Sequence, residues 1–268
     1  MAPVSLLVSS TAPAADGCLV RVTPESAGWR YVGFEAYRLQ RGARLERETG
    51  SRELCLVFLS GRAAVAAAGV KWPEVGGRES VFEGLPHSVY LPPGTTFAVE
   101  AVSAELEIAL CWAPAETGSE PVLIAPGDCR VERRGSGVTE REVRNILMEE
   151  RPAESLLVTE VITPGGHWSS YPPHKHDTDD LPREAYLEET YYHRTQRPEG
   201  VAVQLLYTED RDLDEALRVG DGDTVLVPRG YHPVSAGPGY DLYYLNVMAG
   251  PVRTWRVTYD PHHAWQLA

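Results

Sequence analysis

Hydrophobic positions along this chain fall into short runs with the two-residue period of a pleated strand. ELEIALCW (105–112) alternates throughout, placing Leu106, Ile108, Leu110 and Trp112 on one face. SLLVTEVI (155–162), VAVQLLY (201–207), TVLVP (224–228) and DLYYLNVM (241–248) are rich in β-branched and aromatic residues and stop at turn formers. Only DLDEALR (212–218) and TEREVRNIL (139–147) have a spacing that predicts a turn or two of helix. The pattern as a whole predicts an all-β protein of the sandwich or barrel type.

The two halves share a layout. SVYLPPGTTFAVEA (88–101) and DTVLVPRGYHPVSA (223–236) both read as strand, Pro-x-Gly, strand, and ELCLVFLSGRAAVAA (53–67) corresponds in position to the segment beginning EETYYHR (188–194). Between the halves, PAETGSEPVLIAPGDCRVERRGSGV (114–138) is rich in glycine, proline and charge, as a connection between domains would be. The expectation is two β units, residues 1–125 and 126–268.

Composition narrows the function classes. With 43% hydrophobic and 24% charged residues, the 268-residue chain has the balance of an ordinary globular protein. No apolar run approaches the roughly 18 residues that suggest a membrane span. The opening MAPVSLLVSSTAPAADG has no basic segment ahead of its brief apolar stretch, so no secretory signal is expected and the cytoplasm is the expected location. Cys18, Cys55, Cys111 and Cys129 are scattered without a CxxC and read as reduced, mostly buried thiols. A net charge of −13 without a basic stripe argues against nucleic acid as a partner. A small anionic substrate is compatible only where arginine, lysine or a metal reverses the sign locally. The oligomeric state stays open, a homo-oligomer included.

The densest chemistry lies in YPPHKHDTDDLPREAYLEETYYHR (171–194). In a strand His174 and His176 share a face while Lys175 points away. Asp177 to Glu184 reads as the loop leading to a second strand, which opens with Glu188 and Glu189. His232, after the Pro228–Gly230 turn, is a fourth candidate. Three neutral imidazoles and one carboxylate suit one borderline divalent ion such as Zn²⁺, Mn²⁺ or Fe²⁺. Strand alternation lets only one of Glu188 and Glu189 face the histidines. The other is expected to be solvated or to lie in an interface.

This order resembles the cupin pattern, G…HxH…E followed by GxxxxxPxG…H on a small β-barrel, carried here by Gly166, His174, His176, a Glu at 188 or 189, Gly222, Pro228, Gly230 and His232. It departs in a longer gap between HxH and Glu and in a single residue between Gly230 and His232. Within the cupins, GRESVFEGLPHSVYLPPG (77–94), HWSSYPPHKHD (167–177), LEETYYHR (187–194), VLVPRGYHPV (225–234) and YYLNVMAGP (243–251) resemble the uronate isomerase (KduI/IolB) family of two-cupin proteins across nearly the whole chain. His167 stands where that resemblance leads one to expect Asn.

The resemblance implies a bicupin whose second barrel holds the metal while the first, with Thr96 or Phe97 at the place of His232, lacks ligands. It selects Glu189 through the Glu-x-Tyr register. It implies the conversion of 5-deoxy-D-glucuronate to 2-deoxy-5-keto-D-gluconate, an aldose–ketose isomerisation of myo-inositol catabolism. If Glu189 faces inward, so do Tyr191 and His193, the candidate proton shuttles. Arg229 and Arg194 are candidate partners of the substrate carboxylate. Arg78 and Glu79 read as an ion pair at a rim or interface. Rival readings are a ketol-isomerase of another deoxy-uronate, 4-deoxy-L-threo-5-hexosulose-uronate, a cupin dioxygenase and a non-enzymatic binding cupin.

Overall fold

The computed structural model describes residues 5–267. Each half of the chain is a pair of antiparallel sheets rolled against each other. In the first, a six-stranded sheet runs in the order Val122–Ile124, Ser88–Leu91, Arg52–Ser60, Glu105–Pro114, Gly33–Gln40, Cys18–Val22. It faces a four-stranded sheet of Arg44–Glu48, Thr96–Ala101, Arg62–Ala67 and Val70–Gly76. In the second, a seven-stranded sheet runs Leu7–Val8, Thr224–Val227, Glu188–Thr195, Leu242–Ala249, Leu157–Thr163, Arg141–Leu147, Arg130–Arg134. Opposite it lie Trp168–Ser169, Val234–Ala236, Ala202–Tyr207 and Asp214–Val219. These are tandem cupin barrels. No helix among the described residues is long and apolar enough to cross a membrane.

The alternation of Glu105–Pro114 shows how the barrels meet. Leu106, Ile108, Leu110 and Trp112 fill the first barrel with Phe58 and Phe97. Ala109, Cys111 and Ala113 face the other way, into a second cluster that also holds Leu156, Val158, Leu245 and Val247 of the second barrel. The large sheets therefore pack back to back. Burial on both faces explains why these strands are apolar on both sides.

Polar groups lock this interface in a near-symmetric way. Glu53, second in its strand, lies opposite Ala113, and Glu188 opens the corresponding strand opposite Ala249. The Glu53 carboxylate accepts the backbone N–H groups of Glu154, Ser155 and Leu156 at 2.9, 2.6 and 2.6 Å. Glu188 accepts those of Arg30, Tyr31 and Val32 at 2.7, 2.7 and 3.0 Å. Each carboxylate thus ties down the other barrel's chain. Arg78 is buried and pairs across the interface with Glu160, not with its exposed neighbour Glu79.

Three expectations are corrected. DLDEALR is a strand, Asp214–Val219, paired along its length with Ala202–Tyr207; TEREVRNIL supplies another, Arg141–Leu147, between two partners. Sheet hydrogen bonding overrides the local helical spacing in both. Asp177–Asp180 and Glu184–Tyr186 form a short hairpin and not a bare loop. Leu7–Val8, at the start of the chain, pairs with Thr224 and Val225 in the second barrel's sheet, so the segment 1–125 does not all stay with the first. The four cysteines are free and buried.

Candidate metal centre

The two-residue strand His174–Lys175 pairs with Thr258–Tyr259 and sets the alternation of the HxH segment. Lys175 turns outward to Asp177 at 2.7 Å and Glu184 at 3.0 Å, while His174 and His176 turn into the barrel. His232 arrives by a tight turn. Gly230 has φ +86°, and a Cβ there would stand 2.6 Å from the Tyr207 carbonyl oxygen, so the backbone approach requires glycine. The three imidazoles present ligand atoms all within 4.8 Å of one another.

Of the adjacent glutamates, it is Glu189 whose carboxylate enters this cluster, 3.1 Å from His176 Nε2 and 3.3 Å from His232 Nε2. The protonation pattern is set from outside. His176 Nδ1 lies 2.9 Å from the Leu187 carbonyl and His232 Nδ1 2.9 Å from that of Gly230. Each carbonyl can only accept, so each Nδ1 carries a proton. His232 Nε2 then faces the Glu189 carboxylate as a bare lone pair, while His176 Nε2 meets the same carboxylate within hydrogen-bond distance. A cation among them resolves the repulsion, and His232 Nε2, buried, has no hydrogen-bond partner of its own. The residues fit a divalent ion.

Burial lowers the His174 pKa well below the ordinary imidazole value, helped by His232 and His176, and brings His232 down to about 4. Both are neutral imidazoles at neutral pH. For His176, burial is outweighed by the Glu189 hydrogen bond and charge, and its pKa rises.

Beside the cluster lies a cavity of about 220 Å³ whose wall includes His174, Glu189, Tyr191, Arg141, Tyr244 and Trp255. Tyr191 hydrogen-bonds Ser170 at 2.9 Å, and Ser169 bonds Tyr244. Ser170 holds φ +51°, an uncommon left-handed conformation for a residue with a side chain.

Other candidates from the sequence fall elsewhere. His193 shares the inward face but is not part of the cavity wall. It stacks beneath Tyr191 with ring centroids 5.9 Å apart, fully buried, and neither ring nitrogen has a hydrogen-bond partner. Arg229 lies on the outer surface, paired with Asp212 at 2.9 Å. Arg194 is held by Glu107 and by Asp221, the latter at 2.9 Å. Two cations that sequence reasoning missed do line the cavity, Arg134 and Arg141. Treating TEREVRNIL as a strand would have found Arg141, because alternation puts Arg141, Val143 and Asn145 on one face and all three line the cavity.

Two barrels, one of which gathers three imidazoles and a carboxylate at a cavity, define a bicupin with its metal-capable cluster in the second barrel. The chain belongs to the KduI/IolB family, whose model matches residues 6–266. A protein of Geobacillus kaustophilus named 5-deoxy-glucuronate isomerase is 54% identical over 263 residues, covering 98% of this chain and 95% of that one. One of the same name from Bacillus subtilis is 45% identical, covering 92% and 91%. The crystal structure of an IolB-like protein from Salmonella typhimurium superposes with a TM-score of 0.95 at 46% identity, covering 98% of this chain and all of the other. Oxalate decarboxylase from Lactobacillus farciminis, with a TM-score of 0.66 at 12% identity and coverage of 95% and 88%, shares the fold alone.

Proposed function

We propose that this chain isomerises 5-deoxy-D-glucuronate to 2-deoxy-5-keto-D-gluconate at the cavity of the second barrel, with one divalent ion held by His174, His176, Glu189 and His232. The observation that supports the reading is the convergence of three imidazoles and one carboxylate beside a cavity whose wall also contains hydroxyl groups and two arginines. When bound, the ion supplies Lewis-acid polarisation of the aldehyde and its neighbouring hydroxyl.

The chain's own residues handle the proton that moves between adjacent carbons. Tyr191 is the group placed for it. In that role it takes up the carbon-bound proton as the phenolate and returns it as the phenol, with the Ser170 hydroxyl donating to the phenolate oxygen. Burial raises the Tyr191 pKa well above the ordinary phenol value, and the charge of Glu189 adds to that. Neutralising Glu189 removes the second of these causes and eases proton exchange. Trp255, Val143 and Val161 supply apolar wall that limits water at the reacting carbons.

The test is turnover of 5-deoxy-D-glucuronate and of 4-deoxy-L-threo-5-hexosulose-uronate, each with and without chelator. Chelator-sensitive turnover of the first substrate is expected, with Tyr191→Phe losing on the order of 100-fold in kcat while keeping its metal. Turnover of the second substrate alone would transfer the site to the sister reaction. Undiminished turnover after complete metal removal would refute the role of the ion.

A further inference from the structure

We infer that Arg141 is the anchor for the substrate's carboxylate, and so the residue that makes this cavity select an acid sugar over a neutral one. The inference rests on the isomerase reading for the identity of the sugar, but not for the chemistry of the anchor.

The first observation is what Arg141 lacks. Its Nη1 donates to the backbone carbonyls of Thr139 and Tyr171, each at 3.0 Å, and among the described residues it forms no ion pair. Other buried or largely buried arginines of this chain are neutralised: Arg78 and Arg144 by Glu160, Arg194 by Glu107 and Asp221. Arg253 has no such partner but spends its guanidinium on four backbone carbonyls. Among the described residues, Arg141 Nε and Nη2 have no protein acceptor. In a chain of net charge −13 carboxylates are abundant, so a missing counter-ion at this place is specific to it.

The second observation is where Arg141 lies. It shares the cavity wall with His174 and Glu189. Tyr244, Tyr259, Tyr191 and a second arginine, Arg134, line the same cavity. Burial disfavours its charge and lowers its pKa. A partly buried guanidinium facing phenols and another arginine is costly until an anion arrives. Its planar fork matches a carboxylate in two parallel bonds. Arg134 is the lesser candidate, because it already pairs with Glu132 at 2.8 Å and packs over Trp255. A sugar acid spanning the cavity would set its carboxylate on Arg141 and its carbonyl end towards the histidines.

The experiment compares 5-deoxy-D-glucuronate with 5-deoxy-D-glucose, in which a hydroxymethyl group replaces the carboxylate, on metal-loaded wild type, Arg141→Met and Arg141→Lys. Arg141→Met should lower kcat/KM for the acid on the order of 100-fold, mainly through KM, and change that for the neutral sugar less than about threefold. Arg141→Lys should retain part of the preference, since it keeps the charge but loses the fork. Equal losses on both sugars would assign Arg141 a structural role and overturn the inference, as would an unchanged preference. Should wild type turn over neither sugar, the isomerase reading fails first. Calorimetric titration of D-glucuronate into wild type and Arg141→Lys then decides the anchor alone: equal affinities overturn it, a clear loss in the variant supports it. Metal content and thermal unfolding of each variant identify any that has not folded.

Discussion

Replacing Arg78 with Met keeps the length of the side chain and removes its charge at the seam between the barrels. In the native protein Arg78 Nη1 and Nη2 each donate to a Glu160 oxygen at 2.9 Å, and Nε donates to the carbonyls of Phe58 and Leu59 at 3.0 Å. Both side chains are almost wholly buried, with 3% and 0% exposed. Burial disfavours the Arg78 charge, yet Glu160 more than offsets this and its pKa rises. Breaking such a pair from one side costs about 3–5 kcal/mol, because the remaining charge is stranded. Glu160 is not fully stranded in Arg78→Met: Arg144 and the Tyr243 hydroxyl still donate to it, each at 3.0 Å. The lower end, about 3 kcal/mol, is therefore expected, and a chain of this size should lose roughly 6–12 °C in Tm. Glu160→Gln is the harsher change, since it leaves two buried guanidinium groups facing one amide, and should fall near the upper end, about 5 kcal/mol. Urea and thermal unfolding in the presence of chelator, which removes metal linkage, measure both. An Arg78→Met protein within about 1 kcal/mol of wild type, or less stable than Glu160→Gln, would refute the reasoning that this pair locks the barrels.

Adjacent glutamates should separate cleanly. Glu188→Ala, which leaves three backbone amides, that of Val32 buried, without their acceptor, should cost about 3 kcal/mol of stability and leave metal content unchanged. Glu189→Gln should weaken metal retention at least about tenfold by elemental analysis after dialysis, with little change in unfolding of the metal-free protein. His193 is held by burial at a pKa of about 3 against an ordinary 6.5, so the unfolded chain takes up its proton first and stability falls as pH drops from 6.5 toward 3. His193→Phe removes that loss and should shift the acid-unfolding midpoint to lower pH; an unshifted midpoint would contradict this. The amides of Glu116, Thr117 and Gly118, with the Thr117 hydroxyl, hold the Glu154 carboxyl down at about 2. Its contribution is complete above about 4.5 and lost as pH falls toward 2, which carboxyl-carbon NMR titration should show directly.

Strand alternation and turn chemistry are local, and residues governed by them were legible in the sequence. Leu106, Ile108, Leu110 and Trp112 share a face because a pleat has a period of two, and the same rule turned Lys175 away from His174 and His176. The repeat of strand, Pro-x-Gly and strand pointed to two barrels, and His232 follows the second of those turns because only Gly230 tolerates the approach to Tyr207. What depended on distant partners was not legible. The helical spacing of TEREVRNIL gave way once both edges of that segment found strands to pair with, and Arg141 reached the cavity only through that pairing. Arg229 and Arg194 were drawn from the site by Asp212, Glu107 and Asp221, carboxylates far from them in sequence. Glu188 and Glu53 look like ordinary acidic residues until the other barrel brings three backbone amides to each. The physical reason is the same in each case. A backbone period is written into consecutive residues, whereas the partner that satisfies a buried charge is chosen by the packing of segments that meet only in the folded chain.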